Sequence, residues 1–167
     1  MAIVVMNVEG VLTDSPPNVN ILTYEACGSG RVLYNMLRDS SRIVLLSLDH
    51  SKERVQAWMA RERMTRYADI HCYPADSILS PSEWRVQHLK DMIGIGHHIS
   101  FYIDSDPATV GNALEAGVNA ILVAQAGDVP GKNEKGQAYS PWYDLVETIE
   151  QQSLIKAARG IEDDTNG

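Results

Sequence analysis

Apolar runs rich in β-branched residues alternate along this chain with stretches whose apolar positions recur at helical spacing. Ala2 to Val8 is apolar apart from Asn7, the pattern of a central parallel strand covered on both faces. Gly10 to Glu25, with Pro16-Pro17 and Asn18, reads as a turn and a short flap. A helix is expected from Ser29-Gly30 to about Arg38, with Val32, Leu33, Met36 and Leu37 on one side. Arg42 to Ser47 is the second strand, Ser51 to about Arg63 a helix with Val55, Trp58 and Met59 inward, and Ile70 to Tyr73 a weaker third strand. Pro81, preceded by Ser80 as cap, opens a helix that Gly94 should stop. Ile99 to Asp104 is a strand ending in an acid, Pro107 to Ala116 a helix ended by Gly117, and Ala120 to Val123 the last strand. A final helix, Pro141 to about Ala158, would pack Trp142, Leu145, Val146 and Ile149.

Strands separated by helices of this length imply right-handed crossovers. The fold class that follows is α/β, a single doubly wound, Rossmann-like domain over residues 1–158, with a polar and mobile tail over 159–167.

Composition narrows the function classes. With 167 residues and 44% hydrophobic content, one domain with a full core is expected. No apolar run is long enough to span a bilayer, and the start lacks the features of a signal peptide, so a cytoplasmic location is expected, with no membrane partner. Cys27 and Cys72 are too few for a disulfide framework and read as reduced, buried or half-buried thiols. The five histidines show no ligand spacing that would suggest a transition metal.

A net charge of −8 opposes coating of long nucleic acid. One local exception is the group Lys52, Arg54, Arg61, Arg63 and Arg66, readable either as a solvated helix face with mixed ion pairs or as a phosphate-facing patch. Tyr24, Tyr139, Trp142 and Tyr143 could form a contact surface, though packing is the commoner use of such side chains.

In open parallel sheets the binding crevice lies at the carboxyl ends of the strands. The candidates placed there are Asn7 and Glu9 after the first strand, Ser47 after the second, and Asp104 with Asp106 after the fourth. Ser47 and Asp106 each have a plainer reading as helix caps.

The segment Asn7-Val8-Glu9-Gly10-Val11-Leu12-Thr13-Asp14 resembles the first motif of the haloacid dehalogenase phosphatase superfamily, Asp-x-Asp-Gly-[Val/Thr]-Leu-[Thr/x]-Asp. Ile103-Asp104-Ser105-Asp106-Pro107 through Ala116-Gly117-Val118 is similar to its fourth motif. The resemblance covers roughly residues 1–125 and is nearest in pattern to capless members, the polynucleotide kinase 3′-phosphatase and phage-type nucleotide phosphatases. It implies that Asn7 and Glu9 hold the catalytic positions, that Ser47 and Arg85 or Lys90 bind phosphate, and that Asp104 and Asp106 hold magnesium. No lid domain fits between the core elements, and an open site of that kind suits a phosphate-bearing ligand such as a nucleotide or nucleic-acid end, or a phosphoprotein.

Four residues depart from that pattern. Asn7 stands where the family has the nucleophilic Asp, and a neutral amide neither attacks phosphorus well nor binds a hard cation strongly. Glu9 replaces the acid/base Asp with an added methylene, Asp49 stands where relatives carry an Arg, and Ser105 takes the place of the second acid. Two readings follow: a phosphohydrolase with impaired catalysis, and a non-catalytic relative serving as a protein-interaction module. A response-regulator receiver domain would share the sheet but needs an acceptor Asp where Tyr73 stands.

Overall fold

A computed structural model describes residues 2–16 and 19–124, together with 131–132, 138–139, 147, 150–151 and 154–155. The chain divides into two compact units, Met1–Val123 and Ala124–Gly167. In the first, the elements run β1 (Ala2–Asn7), α1 (Gly28–Leu37), β2 (Ser41–Ser47), α2 (Lys52–Arg61), β3 (Asp69–Cys72), α3 (Pro81–Gly94), β4 (Ile99–Asp104), α4 (Pro107–Glu115) and β5 (Ala120–Leu122). The second contains an antiparallel pair, β6 (Gly131–Lys132) with β7 (Ala138–Tyr139). The expected helix over 141–158 and the expected tail lie largely outside the described residues.

All five strands of the first unit are parallel, in the order β3-β2-β1-β4-β5. This is the doubly wound arrangement, and the order reverses between β1 and β4, where such sheets open a crevice. One apolar layer contains Val4, Met6, Tyr34, Val55, Trp58 and Met59, and another contains Val5, Val44, Leu46, Trp84, Leu89 and Tyr102. Because alternate residues of β1 fall in different layers, the central strand is buried on both faces, as its composition predicts.

The structure corrects two local expectations. Val32 and Met36 of α1 are exposed, at 60% and 71%, while Tyr34 is fully buried. The cause is Gly30, where an added Cβ would lie 2.5 Å from the Val11 carbonyl oxygen, so the helix approaches the first loop along its glycine face. Gly94 does not stop α3. The left-handed residue is Gly96 (φ +97°), and the Gly96 and His97 amides close the turn on the Ile93 and Met92 carbonyls.

The cations of α2 take the plainer reading. Lys52 pairs with Asp69 at 2.6 Å, Arg54 with Asp49 at 3.4 Å and Arg61 with Glu62 at 2.9 Å. Cys27 and Cys72 are half-buried, and burial pushes the Cys72 thiol up to about 11, which leaves it inert. No helix among the described residues is long and apolar enough to cross a membrane.

Candidate functional site

The carboxyl ends of β1, β2 and β4 bring Asn7, Glu9, Ser47 and Asp104 to one rim, and all four are buried. The first loop is shaped by Gly10 (φ +89°), where a Cβ would lie 2.0 Å from the Ser105 hydroxyl oxygen. A side chain there would have to push the Ser105 hydroxyl aside and hold a left-handed backbone, so glycine lets the loop after β1 approach the loop after β4 closely.

Glu9 does not face an open crevice. Its carboxylate accepts from the Ser47 hydroxyl at 2.6 Å and from the Leu48 amide at 2.9 Å. The Ser47 oxygen also accepts from the Asp49 amide at 3.1 Å. The Ser47 hydroxyl and the Leu48 amide are therefore already satisfied, from inside the chain, by the Glu9 carboxyl group.

Asn7 closes the other half of the site. Its Nδ2 donates to the Glu9 carbonyl and to Asp104 Oδ1, at 3.1 Å each. Its Oδ1 is buried with no hydrogen-bond partner. The opposite orientation would aim an amide oxygen at two other oxygens, so the hydrogen-bond pattern fixes which way the amide points.

Asp104 is saturated. Oδ1 accepts from Asn7 and from the Ser105 and Asp106 amides at 2.7 and 3.2 Å, while Oδ2 accepts from the Tyr102 hydroxyl and lies 3.5 Å from Arg85 Nη1. Arg85 is buried, held on α3 between Trp84 and Val86. Burial raises the pKa of Glu9 and of Asp104 above the usual carboxylate range, and Arg85 and the hydrogen bonds oppose that rise.

These residues do not fit a magnesium ion. Asp106 turns its carboxylate to α4, accepting from the Thr109 amide at 3.2 Å and from the Thr109 hydroxyl, so it takes the helix-capping role. Asp104 alone supplies a carboxylate, its charge is opposed by Arg85, and the Asn7 Nδ2 occupies the point on which the Glu9 carbonyl and Asp104 Oδ1 converge. Among the described residues no group of three or more His, Cys, Asp or Glu is placed to hold a metal.

Of the remaining sequence candidates, Arg85 reaches the site but is committed to Asp104. Lys90 does not reach it, being exposed further along α3. Tyr102 was missed by sequence reasoning, because inside an apolar strand it reads as core. The signal was its spacing, since two residues before Asp104 it faces the same side of the sheet.

Glu9→Gln gives a direct check on this electrostatic reading. A carboxyl with a raised folded-state pKa makes the folded chain hold more protons than the unfolded chain, from pH 4.5 up to the raised value. Its contribution to stability is complete below pH 4.5 and is lost as pH rises through that window. Denaturant titrations of both proteins at several pH values should show the Gln variant gaining on the parent as pH rises, by at most about 1.4 kcal/mol per pH unit. Parallel pH profiles would refute it.

No family model and no curated protein matches this sequence. Solved structures do. A chain of the Pnkp1/Rnl/Hen1 RNA repair complex superposes with a TM-score of 0.64 at 14% identity over 73% of this chain and 42% of that one. A second structure of the Pnkp1/Rnl/Hen1 complex gives 0.60 at 12% identity, over 73% of this chain and 45% of that one. The chain thus spans less than half the length of the chains it resembles, and at such identity the likeness establishes the α/β fold.

Proposed function

We propose that this chain is a phosphatase-like domain of the haloacid dehalogenase type that does not transfer phosphoryl groups and serves as a non-catalytic interaction module. One observation carries the reading: the Glu9 carboxylate occupies the Ser47 hydroxyl and Leu48 amide that a phosphoryl group would need. An incoming phosphate would have to displace a buried carboxylate that makes two hydrogen bonds. Asn7 supplies no nucleophile, and Glu9, held against Ser47, has no free proton-transfer position.

The solved neighbours support a setting. Both come from a complex containing Pnkp1, Rnl and Hen1, one of them described as an RNA repair complex, which favours a protein partner among components that handle nucleic-acid ends.

A second reading, an impaired phosphohydrolase acting on such ends, is favoured by the meeting of Asn7, Ser47 and Asp104 at one rim. Incubation with a generic phosphate ester and with 3′-phosphorylated RNA, each with magnesium, separates the two. The expected result is no phosphate release above buffer. Release that Asp104→Ala abolishes would establish the second reading instead.

A further inference from the structure

We propose that the amino-terminal rim of the sheet carries a separate anion site, a cleft of about 400 Å³ that takes a phosphate monoester bearing an organic group. The cleft is lined by Arg38, Asp39, Arg42, Ile43, Arg66 and Tyr67 among others. Arg38 follows α1, Arg42 is the second residue of β2, and Arg66 and Tyr67 lead into β3. Ser47 ends the same strand that has Arg42 near its start, so the two sites lie a strand length apart, about 17 Å. The inference does not depend on the reading given under Proposed function.

Charge is the first argument. Three guanidinium groups face one carboxylate, an excess of two positive charges on a chain whose net charge is −8. Mutual pairing explains the cations of α2: Lys52 meets Asp69, Arg54 meets Asp49, and Arg61 meets Glu62, a buried carboxylate that Arg31 also engages. Here it does not suffice. Arg66 and Arg38 share one oxygen of Asp39, with Arg38 Nε 4.0 Å from it, and Arg42 has no side-chain ion pair or hydrogen bond among the described residues.

An unmet donor is the second. The Arg38 Nε–H is buried and has no hydrogen-bond partner, and such groups are rare enough in folded proteins to require an explanation. The rest of the Arg38 side chain is partly exposed, so a turn of its guanidinium toward the cleft would give Nε a phosphoryl acceptor, and guanidinium groups bind phosphate through paired hydrogen bonds. A phosphate monoester carries a charge of roughly −1.5 to −2 at neutral pH, which matches the local excess. The cleft is shallow and open but larger than one phosphoryl group, and half-buried Tyr67 at its border leaves room for the esterified group.

Calorimetry and amide NMR of the full chain with adenosine 5′-monophosphate, adenosine, and a 5′-phosphorylated oligoadenylate test the proposal. The nucleotide should bind saturably, adenosine should not, and the shifted amides should be those of residues 38–43 and 66–68. Arg42→Ala and Arg66→Ala, both at exposed side chains, should each weaken binding about tenfold, whereas Lys52→Ala should not. Tighter binding of the oligonucleotide would identify a nucleic-acid end as the source of the ester, and equal or weaker binding a free small ester; both support the site. Absence of saturable binding at millimolar nucleotide, equal binding of adenosine, shifts centred on Ser47 and Leu48, or an equal loss with Lys52→Ala would each overturn it.

Discussion

Replacing Asp104 by alanine will lower the stability of this domain by about 3–5 kcal/mol, the range for removing one partner of a buried charge pair. The carboxylate is 1% exposed and accepts from Asn7, Tyr102 and two backbone amides while facing the buried Arg85. Alanine leaves a guanidinium without its counter-ion and several donors without acceptors, and each unmet buried donor is itself costly. Circular dichroism should show the melting midpoint falling by roughly 10 °C or more. The paired variant Asp104→Leu with Arg85→Met removes both charges together and should recover much of the loss, because a buried pair replaced by apolar groups is often neutral. A single alanine variant as stable as the parent would mean that water reaches the cluster.

The frame was legible in the sequence because burial on both faces demands what β1 displays: Val4, Val5 and Met6 without a solvent-facing side chain between them. Helix starts were legible for a similar local reason. Ser51 and Ser80 each accept from the backbone amide three residues on, and a cap of that kind needs no tertiary information. The rotation of α1 was not legible, since it depends on Gly30 meeting the backbone of a loop far away in sequence. The site divides in the same way. Strand ends and a sheet rule bring Asn7, Ser47 and Asp104 to one rim. The cap that Asp106 makes to Thr109 was legible from its place before Pro107, and Arg85 rather than Lys90 lies inward because it sits nearer the start of α3. The turn of Glu9 to Ser47 depends on side-chain torsions and does not follow from residue type.

Placing a carboxylate at position 7 should expose how the present site holds together. In Asn7→Asp, a donor that now bridges the Glu9 carbonyl and Asp104 becomes an acceptor about 3 Å from a carboxylate oxygen. Two hydrogen bonds are lost and like charges are brought together, a combination costing on the order of 5 kcal/mol or more at an effective dielectric near 20. The same change makes the vacated point attractive to a hard divalent cation, with two carboxylates and a backbone carbonyl around it. The variant without metal should therefore melt well below the parent, and millimolar magnesium should raise its midpoint by several degrees while leaving that of the parent unmoved. Thermal scans with and without magnesium decide it. If the parent gains as much as the variant, the Asn7 amide is not standing where a cation would bind, and the case for a silent site loses its metal half. If neither responds and the variant keeps its stability, the Asn7 contacts to Glu9 and Asp104 carry little energy, and the closed geometry needs another cause.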